Sequence, residues 1–264
     1  MNGSNEKNRI DRPIAFLDSG VGGISVLREA VHLMPEEDFY YYGDSANAPY
    51  GTKSTEEVRS LTLGHVERFL DMGAKAVAVA CNTATSAAVR RLREIYPDLP
   101  IVGIEPALKP AVEQTPDPKV LVMATPVTIR EEKFRHLFER FEDRARIIPL
   151  PCPGLMEYVE NGQYDTPEVT QFLNDLLEPY KGEVNAVVIG CTHYTFVAPV
   201  IERVLGFQAR VFDGAYGTAR ELKRRIMQAG LLRDPSGWSG GVVIESSDPS
   251  PEKIKLCEKL LRLT

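Results

Sequence analysis

Two segments of the chain have almost the same local sequence, and they constrain the fold more than any other feature. AVAVACNTAT places Cys81 after the apolar run Ala76–Ala80, and AVVIGCTHYT places Cys191 after Ala186–Gly190. In each segment, a run typical of a buried strand is followed by a cysteine, by hydroxyl or amide side chains, and then by a predicted helix. Two such segments at corresponding places in the chain indicate a duplicated βα unit.

Strand-like runs alternate with helical patterns through most of the sequence, which predicts an α/β fold with parallel sheets. The cluster Tyr40–Tyr42 falls within one of these runs, and we expect it to alternate between core and surface. The predicted strands are Ile14–Asp18, Phe39–Gly43, Lys75–Ala80, Ile101–Ile104, Val120–Ala124, Ile147–Leu150, Ala186–Gly190, Arg210–Phe212 and a peripheral strand at Val242–Glu245.

The duplication predicts two similar α/β domains, each with its own parallel sheet. The segment LDSGVGGISV at Leu17–Val26 is similar to MATPVTIREE at Met123–Glu132, which supports the duplication. We expect a discontinuous first domain, residues 1–97 with 208–264, and a second domain, residues 98–207. Ligands of parallel sheets bind beyond the carboxyl ends of the strands. The active site is therefore expected in the cleft between the two domains.

Composition excludes several classes of function. The 264 residues are 43% hydrophobic and 26% charged, as in ordinary globular proteins, and the net charge of −6 argues against a nucleic-acid partner. The apolar runs are too short for a membrane helix, so no membrane partner is expected. The first residues, MNGSNEKNR, lack the apolar core of a signal peptide and predict a frayed tail and a cytoplasmic protein. The four cysteines have neither C-x-x-C spacing nor a His-Cys cluster, so we expect no metal site.

The paired cysteines indicate acid/base chemistry. Racemising an amino acid without a cofactor requires two opposed groups, one deprotonated and one protonated. Cys81 and Cys191 both precede predicted helices, and a helix N-terminus favours the thiolate. Asp18 could accept a hydrogen bond from a nearby thiol. The alternatives are two buried cysteines at strand ends and an aspartate that only caps a helix; Cys152 and Cys257 are interpreted as buried in this way. His32, His65 and His136 are interpreted as surface or capping residues.

Four motifs, in order, carry a resemblance to a known family. They are DSGVGG at 18–23, YYGDSANAPYGTKS at 41–54, ACNTAT at 80–85 and GCTHY at 190–194. The chain resembles the cofactor-independent aspartate/glutamate racemase superfamily, and within it the bacterial glutamate racemases. The similarity extends from about Ile14 to Leu232. It implies a racemase that needs no cofactor and interconverts L- and D-glutamate, supplying D-glutamate for peptidoglycan synthesis, and that forms a homodimer.

The resemblance also implies roles for individual residues. Cys81 would act on the α-proton of the D-enantiomer and Cys191 on that of the L-enantiomer. Asp18 and His193 would assist the first and second thiol respectively, and Glu160, in CPGLMEYVENG, would be a further catalytic residue. The implied substrate contacts are Asp18, Ser19, Pro49, Tyr50, Gly51, Asn82, Thr83, Thr125, Thr128, Thr192 and His193.

Four positions depart from the family's pattern: Val127, Glu131, Thr195 and Gly214. None removes a catalytic group, but Glu131 would repel a substrate carboxylate if it faced inward. The alternative is that Glu131 is an exposed charge on the first turn of a helix. These departures keep a racemase of aspartate or another acidic amino acid open. A non-catalytic binding relative and a thiol–disulfide protein are the alternatives from other classes.

Overall fold

The structure is a computed structural model that describes residues 9–235 and 239–263. Most of the expected N-terminal tail, residues 1–8, lies outside the described residues. The strands are β1 Ile14–Asp18, β2 Phe39–Gly43, β3 Ala76–Val79, β4 Ile101–Gly103, β5 Lys119–Ala124, β6 Arg146–Pro151, β7 Ala186–Ile189, β8 Arg210–Phe212 and β9 Val242–Ser246. Each predicted strand is confirmed, with ends shifted by at most one residue.

Helices lie between most of the strands. They are α1 Ile24–Leu33, α2 Thr55–Asp71, α3 Asn82–Ile95, α4 Leu108–Gln114, α5 Pro126–Arg130, α6 Glu132–Glu139, α7 Leu155–Glu160, α8 Pro167–Leu177, α9 Ala198–Leu205, α10 Ala215–Gln228 and α11 Pro251–Leu261. Short 3₁₀ helices occupy Ser45–Asn47, Tyr50–Thr52, Glu178–Tyr180 and Thr192–Val197. No helix in the described part of the chain is long and apolar enough to cross a membrane.

The chain divides into two compact units. The first comprises residues 1–104 and 215–264, and the second comprises residues 105–214. The domain boundaries inferred from the sequence, after residues 97 and 207, stay a prediction. Each unit contains one parallel sheet, so the expected α/β class with two parallel sheets is confirmed.

The first unit has the strand order β4-β3-β1-β2-β9, with every neighbouring pair parallel. Strand β1 is entirely buried, and the chain leaves it toward β2 on one side and later returns to β3 on the other. The carboxyl ends of β1 and β3 therefore lie side by side at a topological switch point, where parallel sheets commonly bind ligands. Asp18 ends β1, and Cys81 follows β3 at this edge.

The second unit repeats the core of that arrangement. Its order is β8-β7-β5-β6, again with all neighbours parallel. Strand β5 takes the place of β1 and β7 takes the place of β3, so Cys191 follows the strand that corresponds to the one before Cys81. The two units thus share a four-strand order, and β9 is an addition to the first.

The expectation that Tyr40–Tyr42 alternates between core and surface is wrong. All three rings are buried, with 6%, 0% and 7% of their surfaces exposed. The reason is that β9 pairs with the outer edge of β2 while α2 packs over Tyr40 and Tyr42, whose rings contact Phe69 of that helix. On the other face, the Tyr41 hydroxyl donates to the Gly20 carbonyl at 2.7 Å, so side chains on both faces of β2 are covered.

Candidate active site

Cys81 lies at the N-terminus of α3 and serves as the cap of that helix. Its Sγ accepts a hydrogen bond from the backbone N–H of Ala84, with 3.5 Å between the two atoms. Ser19 Oγ lies 3.6 Å from the same sulfur. Only 5% of the Cys81 surface is exposed. The Ala84 N–H, directed at the sulfur, favours its anionic form, whereas the neutral thiol donates to Ser19 Oγ.

The glycine-rich turn after β1 brings Asp18 and Ser19 to the same edge of the sheet. The Asp18 carboxylate is fully buried, and its Oδ1 accepts a hydrogen bond from the backbone N–H of Gly20 at 2.9 Å. This oxygen therefore holds the turn in place. It does not cap α1, whose N-cap is Gly23 with no side-chain hydrogen bond. Ser19 is also buried, and the turn directs its hydroxyl toward Cys81.

Asn82 and Thr83 begin α3 directly after the cysteine, and both are 5% exposed. The two polar atoms of the Asn82 amide are buried and have no hydrogen-bonding partner among the described residues. An unpaired buried amide is costly, so such a group is commonly completed by a ligand. Asn82 therefore offers an unpaired donor and acceptor at the N-terminus of α3, where an anion is favoured.

The predicted residues Pro49, Tyr50 and Gly51 form a turn in the same unit. Tyr50 and Gly51 are buried, and Tyr50 belongs to the same apolar cluster as Cys81. The Tyr50 hydroxyl donates to the carboxylate of Asp44, with 2.6 Å between the two oxygens. The structure therefore brings this turn into the surroundings of Cys81.

Cys191 occupies the corresponding place after β7, but its surroundings differ. The preceding residue is Gly190, where a Cβ would lie 2.7 Å from Ala124 Cβ, so only glycine allows β7 to end this close to β5. The cysteine is 7% exposed, and no backbone N–H is bonded to its sulfur at the start of the following 3₁₀ helix. Its sulfur lies instead 3.8 Å from Nδ1 of His193.

His193 connects this thiol to a carboxylate. The ring is 1% exposed, and its Nε2 lies 2.6 Å from Oε1 of Glu160, the last residue of α7. Burial by itself would lower the pKa of His193, but the hydrogen bonds to Cys191 and Glu160 outweigh it and raise that pKa well above its usual value. A protonated His193 can donate to the sulfur through Nδ1 and to Glu160 through Nε2.

Two further side chains surround the second thiol without titrating near neutral pH. Burial and the charge of Cys191 raise the pKa of the Cys152 thiol, and the same two causes raise the pKa of Tyr194. The Tyr194 hydroxyl donates to the backbone carbonyl of Cys152 at 2.9 Å. Cys152 and, in the first unit, Cys257 are both buried, as expected from the sequence.

The remaining predicted contacts of the second unit lie at the ends of β5 and β7. Thr125 caps α5, where its Oγ1 accepts from the backbone N–H of Thr128 at 3.2 Å and donates to the Thr128 hydroxyl at 2.9 Å. Thr192 is 3% exposed and follows Cys191. Glu131 is only partly exposed and lies between α5 and α6.

Sequence reasoning missed Asp44 and misinterpreted His65. Asp44 is completely buried, and His65 Nε2 lies 3.0 Å from its Oδ2, so His65 is neither a surface residue nor a cap. Asp44 directly follows β2, as Asp18 directly ends β1. A carboxylate at the carboxyl end of a buried strand was the signal that could have identified it. In the described residues, no group of three His, Cys, Asp or Glu side chains could hold a metal ion.

Comparisons with known proteins identify the family. The family model described as "Asp/Glu/Hydantoin racemase" matches residues 22–222, about three quarters of the chain. The chain belongs to the Asp/Glu/hydantoin racemase family. This racemase is 48% identical over 250 residues to the glutamate racemase of Clostridium novyi, with 94% of this chain and 96% of that protein covered. Like that relative, it is an isomerase, and the resemblance to glutamate racemases stated from its motifs is confirmed.

Solved structures of glutamate racemases have the same fold as this racemase. An isoform from Bacillus anthracis superposes with a TM-score of 0.85 at 31% identity, covering 96% of this chain and 95% of the other. The Escherichia coli enzyme, in complex with L-glutamate and the activator UDP-MurNAc-Ala, superposes with a TM-score of 0.82 at 28% identity, covering 95% of each chain. The roles of individual residues in this racemase stay predictions.

Proposed function

We propose that this racemase interconverts L- and D-glutamate, with Cys81 and Cys191 as the two bases. The observation that carries the proposal is the placement of the two cysteines. Each is a buried thiol at the carboxyl end of a corresponding strand, and each has its own hydrogen-bonding partners. A protein that only binds its ligand has no need of two thiols in such surroundings, and a buried structural cysteine has no need of an imidazole.

The chemical step balances without a cofactor. Starting from D-glutamate, the Cys81 thiolate takes the α-proton, and the electron pair of the broken C–H bond is delocalised into the substrate carboxylate. The Cys191 thiol then delivers its proton to the opposite face of the α-carbon, which forms L-glutamate. The turnover leaves Cys81 protonated and Cys191 as the thiolate, ready for the reverse reaction.

The surroundings of each sulfur support this assignment. The N–H of Ala84 and the hydroxyl of Ser19 lie at Cys81, with Asp18 at the adjacent strand end. At Cys191 a protonated His193, held by Glu160, stabilises the thiolate by charge. Asp18, His193 and Glu160 would therefore assist the two proton transfers. The proposed substrate contacts are Asp18, Ser19, Pro49, Tyr50, Gly51, Asn82, Thr83, Thr125, Thr128, Thr192 and His193.

Exchange of the α-proton with solvent tests the mechanism. In D₂O, with a reducing agent and no added cofactor, we expect the purified protein to incorporate deuterium into both enantiomers of glutamate, as measured by proton NMR. Cys81→Ala and Cys191→Ala should each lower racemisation by roughly 10²- to 10⁴-fold, the usual contribution of an acid/base group. Cys257→Ala, which removes a buried thiol of α11, is the matched control and should retain activity.

Three results would contradict the proposal. Absence of exchange with glutamate and with aspartate in the reduced wild-type protein would exclude a racemase of either acid. Exchange with aspartate alone would favour the aspartate racemase that Val127 and Glu131 keep open. Wild-type rates in either cysteine variant would exclude the two-thiol mechanism.

We further propose that the product D-glutamate is used in peptidoglycan synthesis in the cytoplasm, and that the protein acts as a homodimer. For the use of the product, support comes from the solved Escherichia coli glutamate racemase, which is in complex with L-glutamate and the activator UDP-MurNAc-Ala. The location and the homodimer are what the resemblance to this family implies. A strain lacking the gene should require D-glutamate for growth. Sedimentation of the purified protein should give twice the mass of one chain.

A further inference from the structure

Asp44 is a buried carboxylate to which the proposed mechanism gives no role. None of its surface is exposed, and it directly follows β2. Tyr50 donates to its Oδ2 at 2.6 Å, His65 Nε2 lies 3.0 Å from the same oxygen, and Asn47 Nδ2 lies 3.0 and 3.1 Å from the two oxygens. A carboxylate removed from water is tolerated only when it is well partnered, and this one is held from three separate segments.

Hydrogen bonds connect Asp44 to two segments that lie near Cys81. The backbone N–H of Asp44 donates to the carbonyl of Asp18 at 2.9 Å, which fixes the start of the glycine-rich turn. The Tyr50 ring, 1% exposed, packs in the same apolar cluster as Cys81, and its turn contacts α3, the helix that Cys81 caps. Asp44 therefore joins two of the segments that surround the first thiol.

The protonation states of Asp44 and Tyr50 favour a permanent hydrogen bond between them. Burial alone would raise the pKa of Asp44, but hydrogen bonds from His65, Tyr50 and Asn47 outweigh it and hold that pKa well below its usual value. Burial, the bond to Asp44 and the charges of Cys81 and Asp18 all raise the pKa of Tyr50. Asp44 is thus always an acceptor and Tyr50 always a donor, so neither changes state while Cys81 takes and gives protons.

We propose that Asp44, acting through Tyr50, is a positioning residue for Cys81. It fixes the 49–51 turn against the thiol and keeps the sulfur aligned with the substrate α-carbon. The inference rests on the proposed function, because it takes Cys81 to be one of the two bases. Asp44 itself touches neither substrate nor sulfur, so its effect is on alignment and access.

The first test measures access to the thiols and does not depend on activity. In Asp44→Asn and Tyr50→Phe, alkylation by iodoacetamide is followed separately at Cys81 and Cys191 by mass spectrometry of the two peptides. We expect the rate at Cys81 to rise about fivefold, since losing one buried hydrogen bond shifts a local equilibrium by about this factor. The rate at Cys191 should not change. Tyr50→Phe keeps the aromatic ring and leaves the Asp44 carboxylate in place. It provides the measurement if Asp44→Asn does not fold.

Tyr40→Phe is the matched control. Its hydroxyl donates to a carboxylate oxygen of Glu245 at 2.7 Å. The substitution therefore removes the same kind of bond from another ring of the same apolar cluster, one that lies outside the 49–51 turn. We expect no change at Cys81 in this variant. An equal rise at both cysteines, or the same rise in Tyr40→Phe, would mean a general loss of stability and would overturn the proposal.

The second test uses primary isotope effects on kcat/KM with α-deuterated substrates. The equilibrium constant of a racemisation is one, so kcat/KM must fall equally in both directions. If Cys81 is misaligned, removal of the D-enantiomer's proton becomes more rate-limiting. The isotope effect in Asp44→Asn and Tyr50→Phe should therefore rise with D-glutamate and fall with L-glutamate. Unchanged isotope effects together with an unchanged alkylation rate at Cys81 would overturn the positioning role.

The two tests distinguish failure of this inference from failure of the proposed function. A wild-type protein that does not racemise glutamate, with faster alkylation at Cys81 in both variants, would exclude the proposed function and retain Asp44 as the residue that positions Cys81. A wild-type protein that racemises glutamate, with variants that behave as Tyr40→Phe does, would exclude only the role of Asp44.

Discussion

The two cysteines occupy corresponding places in two units of the same strand order, yet their hydrogen-bonding partners are of different kinds. Cys81 is bonded to a backbone N–H and lies beside a serine hydroxyl, neither of which titrates near neutral pH. Cys191 lacks the backbone bond and contacts an imidazole that is held by a carboxylate. The shared strand order places each sulfur, whereas the residues that follow each cysteine decide how its charge is stabilised.

This difference has an electrostatic consequence. A helix N-terminus provides a fixed field that does not vary with pH. An imidazole provides a full charge, but only while it is protonated. The charge that faces Cys191 should therefore depend on pH, whereas the helix N-terminus at Cys81 should not.

The largest effect should come from removing the charged partner. His193→Asn is expected to lower kcat by roughly 10²- to 10⁴-fold, because the Cys191 thiolate loses its counter-charge. The isotope effect on kcat/KM should rise with α-deuterated L-glutamate and fall with the D-enantiomer, opposite to the change expected for Asp44→Asn. His136→Asn, which replaces an exposed histidine of α6, is the control. A loss of less than about threefold in His193→Asn would remove the distinction between the two thiols.

An intermediate effect is expected for Glu160→Gln, which keeps the side chain's size but removes its charge. The bond to Glu160 raises the pKa of His193, so its loss lowers that pKa. The alkaline limb of the kcat/KM profile should move to lower pH, with a loss of about tenfold at neutral pH. A profile unchanged in position would show that Glu160 does not maintain the charge of His193.

The same pKa shift predicts a change in stability. Because the folded-state pKa of His193 is raised, the stabilisation from its charge is fully present below its usual pKa and is lost as pH rises through the raised value. Urea unfolding of the wild type should show this loss on the alkaline side, and Glu160→Gln should show less of it.

The smallest effect is expected at the first thiol. Ser19→Ala removes a neutral hydroxyl 3.6 Å from Cys81 Sγ, while the bond from Ala84 remains. We expect kcat to fall by about fivefold, the effect of one neutral hydrogen bond, with no change in the shape of the pH profile. Ser25→Ala, which removes a buried hydroxyl that donates to the Gly22 carbonyl at 2.8 Å, is the control. A shifted profile in Ser19→Ala would contradict the view that this hydroxyl acts on Cys81 as a neutral group.

The fold was predictable because its determinants are local. The apolar runs before Cys81 and Cys191, and the polar residues after them, specify strand, turn and helix without reference to the rest of the chain. Their repetition predicted two parallel sheets, and the strand orders around β1 and β5 agree.

The site was less predictable because its contacts come from distant segments. His65 and Asp44 come into contact only when α2 packs on the sheet, and no local sequence pattern predicts that contact. The pairing of the outer edge of β2 likewise depends on β9, which is about 200 residues further along the chain. The family resemblance implied roles for Tyr50 and Glu160. It did not reveal that Asp44 accepts a hydrogen bond from Tyr50.

The addition of β9 to the first sheet bears on how the protein is made. The second unit is one continuous segment and can complete its sheet as soon as residue 214 has left the ribosome. Strand β2, by contrast, must wait for Val242–Ser246 before its outer edge is paired. Unpaired strand edges invite association with other chains during synthesis. Nascent chains interrupted between residues 214 and 242 should therefore be the species that most need chaperones.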